Sequence, residues 1–257
     1  MSEPGRILYE VRDHVAWITI DHLDSANSLT KVMLVELGEA WARADADPDV
    51  RVAAVTGAGD RHFCAGGDHS EIASQSFKKA AGEEFRFTSL QAGIQKPVIS
   101  VVNGAAAGAG MTVALDADIV LAVTHAKFLD PHTGLGLIVA GGPLSMARGV
   151  PFSEVARVGI AGMALEAERA YQLGVVSALA NDVTQLRALA VTYSTAIVRK
   201  SPTAVNISLG LMRRFRRDDG VREILSDAAT AADNQWQHPD AAEGARAALE
   251  HRPANWK

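Results

Sequence analysis

The segment FLDPHTGLG, residues 128–136, carries two side chains that could perform acid–base chemistry together. His132 can accept or release a proton near neutral pH, and Asp130 could orient its ring or fix its tautomer. Residues i and i+2 of an extended segment project to one face, so this spacing is compatible with a direct contact. Asp130-Pro131 followed by Gly134 is also ordinary turn chemistry, and the local sequence alone favours a turn.

Two glycine-rich loops could supply a second kind of chemistry. GAGDRHFCAGGD (57–68) and NGAAAGAG (103–110) each follow an apolar strand and precede a predicted helix. Such turns can present unpaired backbone N–H groups. Neither loop has the pattern of a dinucleotide fingerprint, and the chain contains no P-loop and no G-x-S-x-G. Two interpretations stay open: one N–H per loop binds a carbonyl oxygen, or the small residues only permit close packing.

The composition predicts a cytoplasmic globular protein. The 257 residues are 48% apolar and 21% charged, with a net charge of −5, which suits one large domain or a domain with a helical extension. A single cysteine excludes an internal disulfide framework and a cysteine-based zinc cluster, and we expect no metal site. We also expect no membrane association, because no run approaches the roughly 18 apolar residues of a span.

The basic residues are scattered apart from one cluster. It comprises Arg213, Arg214, Arg216 and Arg217, beside Asp218 and Asp219. A nucleic-acid surface would need a broader basic face, so we expect no nucleic-acid partner. The cluster is interpreted either as a solvated helix end or as a small phosphate site.

Hydrophobic periodicity predicts alternating strands and helices up to residue 140 and mainly helices after Gly141. Predicted strands lie at Ile7–Val11, Val15–Ile20, 52–56, 98–102, 119–123 and 126–130, with a strand-like segment at 175–179. Predicted helices start at Thr30, span roughly 78–95, and follow the second glycine loop. The pattern indicates an α/β core with a C-terminal helical layer.

The glycine loops belong to a longer set of recognisable segments. In order, these are HFCAGGDHSEI (62–72), KPVISVVNGAAAGAGMTVALDADIVLA (96–122), AKF (126–128), EAERAYQLGVV (166–176), SPTAV (201–205) and AAEGARAALEHRPANW (241–256). Together they resemble the crotonase superfamily, the enoyl-CoA hydratase/isomerase proteins, over nearly the whole chain. The resemblance implies a spiral of repeated ββα units in residues 1–200 and a C-terminal helical trimerisation region in residues 201–257. It also implies a homotrimer or a dimer of trimers.

The resemblance further implies an acyl-CoA thioester as substrate, with no cofactor besides the CoA that the substrate carries. By position, the N–H groups of Gly67 and Ala109 would form an oxyanion hole that stabilises the thioester enolate. The CoA chain would run past residues 25–29 and 65–68. The substrate-binding residues are therefore expected to be Ala26, Ser28, Ala65, Gly66, Asp68 and Gly108. A basic group of the C-terminal helices, with the arginine cluster as one candidate, would meet the 3′-phosphate.

The two catalytic glutamates of a typical family hydratase are replaced here. Their positions carry Thr112, on the helix after the second loop, and His132. A threonine hydroxyl is no base near neutral pH but can hold a water, whereas histidine can serve as acid and base. The expected catalytic set is Gly67, Ala109, Thr112, Asp130 and His132.

Other polar residues near these motifs are interpreted as mainly structural. Asp116, one helical turn beyond Thr112, could approach the site but is favoured as a structural or surface residue. Asp68 is expected to cap the following helix, and His69 and Glu71 to be exposed at its start. Cys64 is expected to be a small packed residue rather than a nucleophile.

Three functions are compatible with these residues. The first is an acyl-CoA lyase or isomerase that uses the oxyanion hole and His132. The second is a hydrolase that cleaves a carbon–carbon bond of a β-dicarbonyl compound with His132 and Asp130. Relatives of that kind share the D-P-H setting but carry an aspartate where this chain has IVAGG (138–142). The third is a catalytically silent acyl-CoA-binding protein.

Overall fold

Two β-sheets lie at the centre of the fold in the computed structural model of the chain, which describes residues 4–68, 71, 85–135, 137–139, 141–147, 149–217, 243, 250, 252 and 255. The strands are β1 (Arg6–Arg12), β2 (Val15–Asp21), β3 (Val52–Gly57), β4 (His62–Cys64), β5 (Val98–Val102), β6 (Ala105–Ala107), β7 (Ile119–Val123), β8 (Lys127–Leu129), β9 (Leu165–Glu166) and β10 (Ala178–Ala180). The larger sheet has the order β1-β2-β3-β5-β7-β10, and the smaller has the order β4-β6-β8-β9.

Helices cover these sheets and fill the C-terminal half of the described chain. They are α1 (Lys31–Ala46), α2 (Ser89–Ala92), α3 (Ala109–Leu115), α4 (Gly142–Met146), α5 (Phe152–Gly159), α6 (Ala167–Gln172), α7 (Val183–Val198) and α8 (Pro202–Arg217). Short 3₁₀ turns occur at Leu23–Ser25 and Thr133–Leu135.

Successive strand pairs alternate between the two sheets. In the pairs β3–β4, β5–β6 and β7–β8, the first strand joins the larger sheet and the second joins the smaller one. The strands that these pairs contribute run parallel to one another within each sheet. This alternation is the repeated ββα spiral that the resemblance predicts, and the α/β fold class is confirmed. The division at residue 200 stays a prediction.

Strands β5 and β7 of the larger sheet follow the sequence prediction because they are apolar runs with both faces covered. All five residues of β5 are buried, as are four of the five in β7. The smaller sheet was largely missed, since β4 and β6 lie inside segments predicted as loops. They have three residues each, and β6 consists only of alanine, which has little strand preference.

Two predicted elements differ from the structure. Residues 85–87 of the predicted 78–95 helix are not helical, because Thr88 caps a new short helix, α2, by accepting a hydrogen bond from Gln91 N–H at 3.1 Å. Residues 78–84 lie outside the described residues. The strand predicted at 175–179 is instead β10, shifted to Ala178–Ala180, where it pairs with β7.

Arg213 holds helix α8 against the core through hydrogen bonds. Its guanidinium donates to both carboxylate oxygens of Asp118, at 2.8 and 2.6 Å, and to the backbone oxygen of Ile94. A bidentate arginine–carboxylate pair of this kind fixes geometry as well as charge. One member of the arginine cluster therefore has a structural role, while the side chains of Arg216 and Arg217 lie outside the described residues.

Two buried asparagines hold the loops at one end of the sheets. The side-chain amides of Asn27 and Asn103 both donate to the backbone oxygen of His62, at 2.8 and 3.2 Å. Asn103 Oδ1 also accepts from Gly57 N–H at 3.0 Å. Buried polar groups that are satisfied in this way rigidify their surroundings. The two asparagines thus fix the start of β4 relative to the segments before α1 and β6.

The first turn of α3 lies against the end of β4 with no room for a side chain. A Cβ built on Gly110 would lie 2.3 Å from the backbone oxygen of Cys64 and 2.7 Å from its Cβ. This position requires glycine because Cys64 lies too close to leave room for a Cβ. The backbone conformation does not require glycine, because helical dihedrals suit any residue. Gly110 therefore sets the distance between the two glycine-rich loops.

We expect Gly110→Ala to lower the free energy of unfolding by about 1–3 kcal/mol, because the added methyl must push backbone away from backbone. The matched control is Gly210→Ala in α8, where a Cβ would meet nothing within 4 Å. That change should raise stability by roughly 0.5–1 kcal/mol through helix propensity. Urea denaturation measures both, and equal effects at the two sites would contradict the packing argument.

Candidate active site

The two glycine-rich loops are in direct backbone contact. Gly66 has φ +99°, and a Cβ there would lie 3.0 Å from Ala107 O and 3.6 Å from Ala109 N. Any larger residue at this position would be strained and would also separate the loops. The small residues therefore permit close packing of the two loops, and this contact brings the expected oxyanion donors into one neighbourhood.

The N–H groups of Gly67 and Ala109 are the expected donors, and neither hydrogen-bonds to any part of the chain that the structure describes. Leu29 N–H donates to Gly66 O at 2.7 Å, and Asp68 N–H donates to Leu29 O at 2.9 Å. In this parallel bridge the N–H of Gly67 points away from Leu29. Ala109 is the first residue of α3, where an N–H has no helical acceptor. Both groups can thus donate a hydrogen bond to a ligand oxygen.

The segment expected to contact CoA packs on the first loop. Ala65 N–H donates to Ala26 O at 3.1 Å, and Ser28 Oγ donates to Asp68 Oδ2 at 3.3 Å. Ala26 has a left-handed backbone, with φ +52°. Four of the predicted substrate-binding residues therefore support one another, with Gly66 between them and Gly108 on the facing loop.

Asp68 also caps the turn that follows it, as predicted. Its Oδ1 accepts a hydrogen bond from Glu71 N–H at 3.2 Å. Glu71 itself is half-buried and accepts from Lys31 N–H at 2.6 Å, so the prediction that it is merely exposed was wrong. His69 lies outside the described residues.

Asp130 and His132 form a hydrogen-bonded dyad. Asp130 Oδ1 lies 2.8 Å from His132 Nδ1 and accepts the backbone N–H of His132 at 3.0 Å. The carboxylate is 1% exposed and the imidazole 27% exposed. A carboxylate acceptor fixes the proton on Nδ1, so that the lone pair of Nε2 is available, and Nε2 bonds to no described residue.

The imidazole lies beside the second loop. A Cβ built on Gly108 would lie 3.7 Å from His132 Cε1 and 3.8 Å from Pro131 Cδ. Gly108 N–H in turn donates to Leu129 O at 3.0 Å, which joins the end of β8 to this loop. The dyad and the N–H of Ala109 therefore belong to one site, and Asp130-Pro131 serves as its turn as well.

Thr112 has a different environment from the one predicted. Its hydroxyl donates to Gly108 O at 3.2 Å and accepts from Gly142 N–H at 3.1 Å, and the residue is buried. A Cβ on Gly141 would lie 2.0 Å from Thr112 Oγ1. The hydroxyl thus makes hydrogen bonds with two backbone groups. These bonds do not support the prediction that it holds a reacting water.

The remaining candidate side chains have structural roles. Asp116 Oδ1 accepts from Ser145 Oγ at 2.6 Å, and its backbone oxygen accepts from Ser89 Oγ at 2.9 Å, which ties α3 to α4 and α2. Cys64 is fully buried, and this burial raises the pKa of its thiol to about 12. Such a thiol stays protonated and is no nucleophile.

A cavity of about 600 Å³ opens next to Thr112. Its walls come from α2, the end of α3, α4 and α8, with Leu115, Asp116, Leu144 and Arg213 among the lining residues. Its size suits a small organic group. No cluster of metal-ligating side chains occurs in the part of the chain that the structure describes.

Sequence reasoning did not assign roles to Asn27, Asn103, Gly141 and Gly142. For Asn103 the available signal was a polar residue between an apolar strand and a glycine-rich loop, since such a residue is buried only when satisfied. The Gly141-Gly142 pair indicated that another element approaches this turn closely. The residue that approaches it, Thr112, is 30 residues away from Gly142 in sequence.

Comparison with known proteins identifies the family. Residues 10–257 match the family model described as Enoyl-CoA hydratase/isomerase. The chain therefore belongs to the enoyl-CoA hydratase/isomerase family and is an enzyme of the hydratase or isomerase type.

Two relatives illustrate the range of the family. (E)-Benzylidenesuccinyl-CoA hydratase of Thauera aromatica is 33% identical over 208 residues, covering 77% of this chain and 78% of that protein. Carnitinyl-CoA dehydratase of Proteus mirabilis is 30% identical over 253 residues, covering 96% of each.

Solved structures agree with this family. An enoyl-CoA hydratase/isomerase from Mycobacterium paratuberculosis superposes with a TM-score of 0.86 at 32% identity, covering 98% of each chain. An enoyl-CoA hydratase from Bacillus anthracis superposes with a TM-score of 0.90 at 25% identity, covering 98% of this chain and 99% of that one. Across the described residues, every helix is too short or too polar to span a bilayer.

The environment of Cys64 predicts that the native thiol resists alkylation. Because its pKa is raised to about 12, the reactive thiolate is scarce at pH 8, and the side chain is also shielded from solvent. Iodoacetamide at pH 8 should label the unfolded chain in urea and leave the folded chain unlabelled, as read by mass spectrometry. Rapid labelling of the folded protein would contradict this assignment.

Proposed function

We propose that this chain is an acyl-CoA lyase of the enoyl-CoA hydratase type that uses a histidine–aspartate dyad in place of two glutamates. The observation that carries the proposal is the position of His132, hydrogen-bonded to buried Asp130 and adjacent to Gly108 of the second loop. The substrate is an enoyl or 3-hydroxyacyl thioester of CoA, and the reaction requires no cofactor besides the CoA that the substrate carries.

The thioester oxygen is bound by the N–H groups of Gly67 and Ala109. Both groups lack an acceptor among the described residues, and their loops touch at Gly66. Donors of this kind act on charge that develops during the reaction, and loss of one typically costs roughly 3–4 kcal/mol of barrier. The hole therefore stabilises the enolate that forms when a nucleophile adds to the β-carbon.

His132 moves the proton at both ends of the reaction. Asp130 keeps the proton of the neutral ring on Nδ1, so Nε2 removes a proton from water while the water oxygen bonds to the β-carbon. The enolate then takes that proton from Nε2 at the α-carbon, which yields the 3-hydroxyacyl thioester. Dehydration is the reverse sequence. One group thus performs both tasks that the family divides between two carboxylates.

The CoA portion runs past the segment that contains Ala26 and Ser28 and past Ala65 to Asp68. These residues are joined by hydrogen bonds, so the channel wall is built before substrate arrives. We further propose a cytoplasmic homotrimer or dimer of trimers, as the resemblance implies. Analytical ultracentrifugation of the full chain tests the assembly.

A second candidate function is supported by the same dyad. Hydrolytic cleavage of a β-dicarbonyl compound also needs an oriented histidine to activate water and an oxyanion hole for the departing enolate. The D-P-H segment favours this reading. The glycine turn opposes it, because residues 138–142 carry no aspartate and Gly142 N–H is engaged by Thr112.

The first test of the proposal measures the hydration of a panel of straight-chain, branched and aryl enoyl-CoA esters. Hydration is detected as a loss of the conjugated thioester absorbance. At least one ester should be turned over by the wild type, and His132→Ala should lower kcat by about 10²–10⁴-fold. His125→Ala is the control, because His125 is exposed and contacts only Asp60 O among the described residues.

The outcome separates the candidates. Full activity of His132→Ala would overturn the assigned acid–base role. Turnover of a cyclic β-diketone, with none of any enoyl-CoA, would favour the hydrolase. Tight binding of acyl-CoA by calorimetry, with no reaction in either assay, would identify a silent member.

Asp130→Asn tests the role of the carboxylate separately. The amide can present N–H to Nδ1, which moves the ring proton to Nε2 and removes the base. We expect kcat to fall by at least about 100-fold while the KM for the preferred ester changes little, since the side chain of Asp130 is buried. A variant with unchanged kcat would show that Asp130 only shapes the turn.

A further inference from the structure

The hydroxyl of Thr112 lies in the middle of a hydrogen-bonded chain. Gly142 N–H donates to Thr112 Oγ1 at 3.1 Å, and Oγ1 donates to Gly108 O at 3.2 Å. Gly108 O also accepts the backbone N–H of Thr112 at 3.1 Å. The carbonyl of Gly108 and the N–H of Ala109 belong to the same planar peptide group. The chain of hydrogen bonds therefore ends on the peptide that carries an oxyanion donor.

Hydrogen bonds to a peptide oxygen draw electron density from its nitrogen and make its N–H a stronger donor. We propose that Thr112 is a positioning residue that orients and strengthens the Ala109 N–H for the thioester oxyanion, with Gly142 N–H as the outer member of the relay. This inference rests on the proposed function, since it assumes that Ala109 binds the thioester oxygen. Where the family has a catalytic glutamate, this chain has a support for the oxyanion hole.

The geometry distinguishes this arrangement from ordinary helix back-bonding. A threonine often donates to the carbonyl four residues earlier, and that alone would say little. Here the hydroxyl is also buried and accepts from the Gly141-Gly142 turn. A Cβ on Gly141 would lie 2.0 Å from Thr112 Oγ1, and one on Gly142 would lie 2.6 Å from Met111 Cγ. Only two glycines allow the turn to approach so closely, and its contact fixes the hydroxyl in one orientation.

The size of the effect follows from the strength of the donor. Removing an oxyanion donor lowers kcat by about 10²–10³-fold, and each hydrogen bond in a chain changes the strength of the next by about 10–30%. The fraction of about 10–30% applies to the logarithm of the roughly 10²–10³-fold effect of the donor. Loss of the Thr112 hydroxyl should therefore lower kcat by roughly two- to eightfold.

The kinetic test compares three variants on the enoyl-CoA ester that the wild type hydrates best. Thr112→Val keeps the shape, removes the hydroxyl and should lower kcat by roughly two- to eightfold. Thr112→Ser keeps both hydrogen bonds and should restore kcat. Leu186→Ala, at a buried position of α7, is the stability control and should lower Tm without lowering kcat. Equal kcat in Thr112→Val and wild type would overturn the proposal, as would a valine-like loss in the serine variant.

A spectroscopic test reads the polarisation of the bound thioester directly. Infrared difference spectra are recorded for crotonyl-CoA labelled with ¹³C at the thioester carbonyl, bound to His132→Ala so that the ligand is not consumed. The carbonyl band should shift to lower frequency when the ester binds to His132→Ala. The shift should be smaller in the double variant that also carries Thr112→Val. It should return to its full size in the double variant that carries Thr112→Ser instead. A shift that Thr112→Val leaves unchanged would refute the relay and leave the proposed function intact. No shift, or no binding, in His132→Ala itself would refute the oxyanion hole and with it both proposals.

Discussion

The contact between two backbones, with no side chain between them, is the constraint on which the rest of this structure depends. Gly66 lies against Ala107 and Ala109, and Gly110 lies against Cys64. The short strands β4 and β6 pair in parallel and deliver these residues to one place. The asparagine pair that shares the carbonyl of His62 holds both loop ends at that distance. A methyl group in either contact would separate the loops.

The site that results is built almost entirely from uncharged groups. Its expected donors are backbone N–H groups, its proposed acid–base group is an imidazole, and the carboxylate that is hydrogen-bonded to that ring, Asp130, is buried. Buried peptide dipoles of fixed orientation need no reorganisation when charge develops, which is an advantage over flexible ionic side chains. The bidentate ion pair between Arg213 and Asp118 serves instead to hold α8 on the core.

Most of the large sheet and the position of His132 could be predicted from the sequence, but most of the smaller sheet and the hydrogen bonds of Thr112 could not. The apolar composition of runs such as 98–102 and 119–123 predicts buried strands. The three-residue strands lack that signal, because pairing with neighbours decides their conformation rather than their own preferences. Thr112 could be singled out from the sequence, yet its hydrogen bonds depend on Gly142 in another element. The contact of Asp130 with His132 was accessible, since it needs only two neighbouring residues in a turn.

The mutual dependence of Thr112 and Gly141 also limits the routes by which this chain could diverge. A Cβ at position 141 would lie 2.0 Å from Thr112 Oγ1, so a larger residue there requires the threonine side chain to move or to be replaced. Substitutions at the two positions are therefore coupled, and their effects on stability should not add. Packing at this contact constrains the order in which the two positions can change.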